Sequence, residues 1–351
     1  MTILSPYLWV HGSSSKPLVD VMKIYHNGRS EPVERALADF GIEESFANAA
    51  IRFKEHYHFD IGPNAVDRST KNTAHQAMDF IDNKFSNADV ASENTTLEKM
   101  LLELDGCEIR TAELIPAEEK NELTPVHKNP KMAKRINWRD VRLGFARPLD
   151  SESKIFAGGL DSYPQVVGQM RSAAVLIGMT PKTEVVGVAD GGIGLSEELK
   201  RHFPSMQFVL DKSHFRDHLY ETAEALGIKR KNRSAWVNSR LQAVSNGHFD
   251  EVLTELEGEY ENNPNQRLKR LIGYMKRFSN ALGYSDFKSK GYPIGSGEIE
   301  SAHKSIPQKR LKIPGASWRA DSINPMLSLR ILRANGWWED FWDSRTEKLA
   351  A

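Results

Sequence analysis

The chain has 351 residues, more than one typical domain, and 40% of them are hydrophobic, enough for a sizeable core, which excludes global disorder. Its 47 Lys and Arg balance 47 Asp and Glu, so any nucleic-acid surface has to be a local basic patch offset by acid elsewhere. The single cysteine, Cys107, excludes an intramolecular disulfide and a Cys-rich zinc site; no segment is apolar enough to span a bilayer, and "MTILSPYLWVHGSSSKP" is no signal peptide, so a cytoplasmic protein is expected.

Residues 1 to about 28 are rich in Ser, Gly and Pro and read as irregular. A helix is expected over 30–41, with Ser30 as N-cap, Pro32 in its first turn and Gly41 as its stop. Phe46, Ala49, Ala50 and Phe53 recur at helical spacing in a second helix, and Pro63 opens a third, polar one. A helix, a short Gly-containing turn and a helix carrying Arg68 and Lys71 outline a helix-turn-helix; a small helical bundle with solvated charges has the same outline. Residues 86–96, "SNADVASENTT", read as a linker.

The texture then changes. "LEKMLLELDGCEIRTAEL" predicts two short strands around an Asp105-Gly106 turn, and residues 116–137 lack periodicity and read as a loop. "WRDVRLGFARPL" and "KIFAGGL" predict strands, and "YPQVVGQMRSAAVLIG" a helix. "EVVGVADGGIGLSEELKRHFPSMQFVLDKSHFRDHL" then predicts a strand ending at Asp190, a helix, a strand ending at Asp211 and another helix. Three consecutive strands followed by strand–helix alternation predict an α/β fold, a mixed sheet covered by helices. Residues 215–287 read as wholly helical and highly charged. "KGYPIGSGEIESAHKSIPQKRLKIPGASW" is punctuated by Gly and Pro and basic after Glu300, and "SINPMLSLRILRANG" and "WWEDFW" close the chain. Trp318, Trp337, Trp338 and Trp342 read as packing residues rather than base-stacking platforms.

A strand-tip aspartate is often only a helix N-cap, and Asp211 reads that way because it runs straight into a helix. The glycines after Asp190 point instead to a tight turn or a close approach. If the strands ending at Asp105 and Asp190 are neighbours, both carboxylates emerge at one sheet edge, and Glu300 opens a helix able to pack back on it. Three such carboxylates repel one another unless cations sit between them. Hard divalent metals take such oxygen ligands, and two of them about 3.5–4 Å apart activate a water or a 3′-hydroxyl in phosphodiester chemistry.

Taken in order, "LELDGCEIR", "NWRDVRLGFA", "ADGGIGL…FP", "LDKSHFRDHL", the Glu300 block and "MLSLRILRANGWWEDFW" resemble bacterial insertion-sequence transposases of the DDE type, in the prokaryotic branch related to Mutator-like elements. The resemblance spans about residues 30–342. It implies an RNase H-like mixed sheet flanked by helices, with an all-helical insertion and an N-terminal helix-turn-helix-like region. The expected division is 1–95 for DNA binding, 96–215 and 289–351 for the catalytic core, and 216–288 for the insertion. Asp105, Asp190 and Glu300 are then the catalytic residues and the ligands of two Mg²⁺ or Mn²⁺ ions. Glu300 is preferred to Glu298 because the family acid directly precedes a small residue such as Ser301. Asp211 and His214 match an accessory motif, with His214 expected near the mouth of the site.

Lys304, Lys309, Arg310 and Lys312 form a basic cluster suited to phosphates, beside Arg68 and Lys71 on the expected reading helix. "IKRKNR", 228–233, reads as a solvated helix face. The N-terminal metal-binding cysteines common in the family are absent. The expected partners are double-stranded DNA, as element ends and as target, and further copies of the chain in a dimer or larger synaptic complex, at the bacterial nucleoid and away from membranes. The rival expectation is a DNA-binding descendant of a transposase that no longer cuts. A glycosidase with paired carboxylates would explain neither the basic tract nor the helix-turn-helix outline.

Overall fold

The computed structural model describes residues 8–10, 13–21, 24, 29–88, 97–119, 129, 131–160 and 162–350. In chain order it holds β1 (Leu8–Val10), β2 (Ser13–Ser15), α1 (Pro17–Val21), α2 (Glu31–Glu43), α3 (Phe46–Tyr57), α4 (Pro63–Ser86), β3 (Lys99–Pro116), β4 (Met132–Pro148) and β5 (Ile155–Gly159). There follow α5 (Tyr163–Ile177), β6 (Glu184–Ala189), α6 (Leu195–His202), β7 (Gln207–Leu210), α7 (Lys212–Ala225), α8 (Arg230–Ser245), α9 (Phe249–Asn262), α10 (Gln266–Arg277) and α11 (Tyr284–Ser289). The chain ends with α12 (Gly297–His303), a π-helical turn (Lys304–Gln308), α13 (Lys309–Leu311), α14 (Ile323–Ala334) and α15 (Trp338–Ala350).

The chain divides into two compact units. One comprises Met1–Lys84, Glu108–Arg139 and Lys304–Ala351; the other comprises Phe85–Cys107 and Asp140–His303. The division falls inside β3 and β4.

The second unit is built on a mixed five-stranded sheet, in the order β5-β4-β3-β6-β7. β3 and β6 are parallel, Lys99–Glu103 lying opposite Glu184–Val188, and β6 and β7 are parallel as well. β4 and β5 are antiparallel, Arg142 facing Gly159. The Leu149 N–H donates to the Lys99 carbonyl, tying the end of β4 to the start of β3. Met100, Leu101, Leu102 and Leu104 are all buried, as a central strand covered on both faces requires. The charged stretch after β7 forms α7 to α11, as its composition predicts.

Two local expectations fail in β3 and β4. Asp105-Gly106 makes no turn: β3 runs through it without a break. A Cβ on Gly106 would lie 2.8 Å from Asp140 Oδ1, so this glycine gives clearance to β4 rather than reversing the chain. Of the expected loop 116–137, Met132 to Asn137 is strand, while 120–128 and 130 lie outside the described residues. The irregular start also holds the antiparallel β1–β2 ribbon and α1.

In the first unit, α2, α3 and α4 enclose Leu37, Ala49, Ala50, Phe53 and Val66, an all-apolar seam at the predicted helical spacing. α2 passes Gly41 and ends at Glu43, because Thr70 of α4 packs at Gly41 and bonds the Leu37 carbonyl at 3.2 Å. Ser30 occupies the N-cap position without a side-chain cap bond. α4 reaches Ser86, the first residue of the expected linker; 89–96 lie outside the described residues. Trp318, Trp337, Trp338 and Trp342 are all buried, in line with a packing role.

Arg330 of α14 holds this unit together. Buried, it donates to the carbonyls of Ile42 (2.9 Å), Ser305 and Ile306 (3.0 Å) and pairs with Glu43 at 2.5 Å. Arg330→Met keeps the stem but removes the buried donor to three carbonyls and one of the two cations on Glu43. We expect it to lower stability by about 3–5 kcal/mol, read from urea midpoints. A loss below about 1 kcal/mol would show that water satisfies these groups instead.

Candidate functional site

The site lies wholly in the second unit, where pairing between β3 and β6 stops. Glu103 faces Val188 in the parallel register, so two further residues along each chain bring Asp105 level with Asp190. Asp190 leaves its strand and turns: its Oδ1 accepts the Gly192 N–H at 2.9 Å, and its carbonyl accepts the Tyr274 hydroxyl. Gly191 sits at φ +76°, and a Cβ there would lie 2.8 Å from Leu210 and Phe278, so the turn needs glycine both for its backbone and for its neighbours. Asp105 is not at the tip of its own strand, but it stands where β3 loses β6 as a partner.

Burial raises the Asp105 carboxyl above its ordinary range; His303 and the Gly106 N–H oppose this, and the charge of Asp190 adds to it. His303 is buried, with Nε2 4.0 Å from Asp105 Oδ2. His214 is half-buried and also acts electrostatically on Asp105.

Above the sheet, α12 is held at three places. The Ile299 N–H donates to buried Glu103 at 2.9 Å. Glu298 takes a two-pronged bond from Arg147, Nη2 to Oε1 at 2.6 Å and Nε to Oε2 at 3.1 Å, and Lys154 Nζ lies 2.8 Å from Oε2. Burial pushes the Glu298 carboxyl up, but these cations outweigh it and hold it below the ordinary value. Before the helix, Ser296 donates its N–H (2.6 Å) and hydroxyl (2.8 Å) to Asp211 Oδ2, and the Lys212 N–H bonds the Ile294 carbonyl at 3.0 Å.

Asp211 also caps α7 through Oδ1, accepting the His214 N–H at 2.8 Å. The cap reading therefore holds but is incomplete, since the same buried carboxylate fixes the segment that leads into α12. Glu300 is exposed on the first turn of α12, and Glu298 is engaged by Arg147 and Lys154. Among the described residues no three His, Cys, Asp or Glu side chains converge as a metal set. The chemistry of the donors nevertheless suits a hard cation: Asp190 raises Asp105, and a dication between two carboxylates relieves that repulsion.

Glu103, Arg147, His303 and Tyr274 escape the sequence reading. Glu103 had a usable signal, since it is two residues from Asp105 and so on the same strand face. Arg147 had none, because its role depends on a contact 151 residues away.

In the first unit the expected DNA contacts separate. Arg68 is exposed on α4, where Asn64, Asp67, Lys71, Asn72 and His75 surround a polar concavity; Lys71 pairs with Asp67 at 2.8 Å. Lys304 and Lys312 are exposed, and Lys309 pairs with Glu43 at 2.5 Å. Arg310 does not suit a phosphate contact. Its guanidinium is buried 4.6 Å from the Phe46 ring and 4.7 Å from that of Trp318, and Nε bonds the Gly41 carbonyl at 2.8 Å. In "IKRKNR", Arg233 pairs with Glu224 at 3.0 Å and Lys229, Arg230 and Lys231 are exposed, as a solvated face requires. No described helix is long and apolar enough to cross a membrane.

Two predictions follow from these contacts. Asp211→Ala removes a helix cap and two bonds to Ser296, so it should cost about 3 kcal/mol, well above the ~1 kcal/mol of a cap alone. A urea-midpoint loss no larger than a cap's would mean the Ser296 bonds contribute nothing. Burial pushes the Glu103 carboxyl from 4.5 up to about 8, so the folded chain holds a proton that the unfolded chain releases. Stability from this group is therefore lost as pH rises from about 4.5 to about 8. Glu103→Gln should flatten that decline between pH 5 and pH 8; parallel profiles for the two proteins would contradict it.

The chain matches no family model and no curated protein.

Proposed function

We propose that this chain is a metal-dependent DNA transposase of the DDE type, with an RNase H-like core. The observation that carries the reading is that Asp105 of β3 and Asp190, one residue beyond the adjacent parallel β6, stand where the pairing of those strands stops, with α12, which carries Glu300, tied to β3. Three consecutive strands followed by strand–helix alternation on a mixed sheet support the RNase H-like assignment.

The choice of Glu300 gains support from helix geometry. Successive side chains on an α-helix are about 100° apart. Ile299 is fully buried and its backbone N–H reaches Glu103 of β3, while Glu298, on one flank, reaches Arg147 of β4. Glu300 therefore belongs to the opposite flank, toward β6, which stops one residue before Asp190. Ser296 agrees, since one turn earlier on that flank it meets Asp211 at the end of β7.

In this reading Asp105, Asp190 and Glu300 would hold two Mg²⁺ or Mn²⁺ ions. Bound metals would supply Lewis acidity and an activated water or 3′-hydroxyl. The sheet edge keeps the aspartates together despite their repulsion, and Tyr274 and Gly192 fix the Asp190 turn. Arg68 on α4 is the candidate for reading bases in the element ends, while Lys304 and Lys312 are left to bind phosphates. Joining two ends calls for a dimer or larger synaptic complex.

Asp105→Asn, Asp190→Asn and Glu300→Gln should each abolish Mg²⁺-dependent cleavage and joining of labelled element ends. Binding in gel shifts should stay equal or grow stronger, because a repulsive charge has gone. Full cleavage by Asp190→Asn would sink the assignment. Arg68→Ala should weaken end recognition by about 1–3 kcal/mol and leave non-specific binding steeply salt-dependent. The non-catalytic DNA-binding reading is favoured by one observation, the lack of a converged three-ligand set among the described residues. Wild-type protein that binds ends but cuts nothing in Mg²⁺ or Mn²⁺ would decide for it.

A further inference from the structure

We infer that Arg147 is a positioning residue that sets the rotation of α12, so that Glu298 is withdrawn from the site and Glu300 is presented to it. This rests on the metal-site reading above.

Arg147 is only 7% exposed, and its guanidinium is fully engaged. Nη1 donates to the carbonyls of Pro148 (2.8 Å), Leu149 (2.9 Å) and Ser151 (3.0 Å), which hold the fork rigid on the β4–β5 connection. Nη2 and Nε then grip both oxygens of Glu298. A planar fork on a carboxylate fixes direction as well as distance, which a single ammonium does not.

The geometry makes that grip a rotational lock. Ile299 and Ser296 tie the start of α12, and the grip on Glu298 adds the side-chain contact with β4 that opposes rolling of the helix about its axis. Glu298 and Glu300 lie two residues apart, about 200° around the helix, so both cannot serve the same side. Holding Glu298 against β4 leaves the flank toward β6 to Glu300. Lys154 adds a second cation to the same carboxylate, at 2.8 Å. Glu298 is paired with two cations, whereas Glu300 forms no ion pair among the described residues.

The test uses the full chain and Mn²⁺ alone as probe, with bound ion read by electron paramagnetic resonance and cleavage titrated against Mn²⁺. Glu298→Gln and Arg147→Met should each weaken Mn²⁺ binding about tenfold, as residues that orient metal ligands typically do. Cleavage should shift to higher Mn²⁺ while its plateau is largely kept, and Arg147→Lys should fall between wild type and Arg147→Met. In a Glu300→Gln background neither change should lower Mn²⁺ binding further, because both act through Glu300. Unchanged Mn²⁺ binding in both variants overturns the inference, as does a loss that adds fully to that of Glu300→Gln. Glu298→Gln without cleavage at saturating Mn²⁺ also overturns it, by making Glu298 the ligand. Should Arg147→Met fail to fold, Glu298→Gln and Arg147→Lys carry the same test. Asp190→Asn is the control: if it leaves Mn²⁺ binding intact, the metal site itself is wrong, whereas its loss beside intact binding in Glu298→Gln and Arg147→Lys defeats only the role of Arg147.

Discussion

Five residues of parallel pairing between β3 and β6 bring Asp105 and Asp190 level, and the rest of the candidate site is arranged around the cost of doing so. Burial disfavours the charge of Asp105, and the nearby charge of Asp190 adds to this. A fold that keeps such a pair needs a compensating charge. His303 and His214 supply part of it from the chain itself. The proposed hard cation would supply the remainder.

Buried arginines do related work in each unit. Arg330 and Arg310 in one, and Arg147 in the other, each donate to backbone carbonyls. A buried guanidinium is favourable only when its donors are used, and removing such a group leaves its acceptors stranded. These arginines thus act as rigid brackets. For Arg310 burial is strong enough to push the guanidinium down to about 10, the opposite of what an exposed phosphate contact would show.

Charge and local pattern misled the sequence reading at particular places. Arg310 stands in a run of cations, and only the approach of Phe46 and Trp318 distinguishes it from Lys304 and Lys312. Asp105-Gly106 has the composition of a turn, yet flanking strand pairing keeps the backbone extended, and glycine there answers the side chain of Asp140. Gly41 has the look of a helix stop, yet α2 continues because a neighbouring helix packs on that spot. In each case a tertiary neighbour overrode a sound local preference.

Hydrophobic periodicity by itself determined most of the elements here: the α2–α4 seam, the apolar run of β6, the helical stretch from α7 to α11 and the cap at Asp211. Those depend on neighbours in the chain, over distances at which side-chain spacing speaks directly. Expected strand ends and a glycine-rich approach drew attention to Asp105, Asp190 and Glu300, and the family resemblance preferred Glu300 to Glu298. Only the tertiary structure decided that β3 and β6 are adjacent, that Glu103 and Arg147 hold α12 from different strands, and that Asp211 serves a loop 85 residues away as well as its own helix. A hydrogen bond between residues so far apart leaves no periodic trace in either segment, so only the folded chain shows which of its polar side chains it will use.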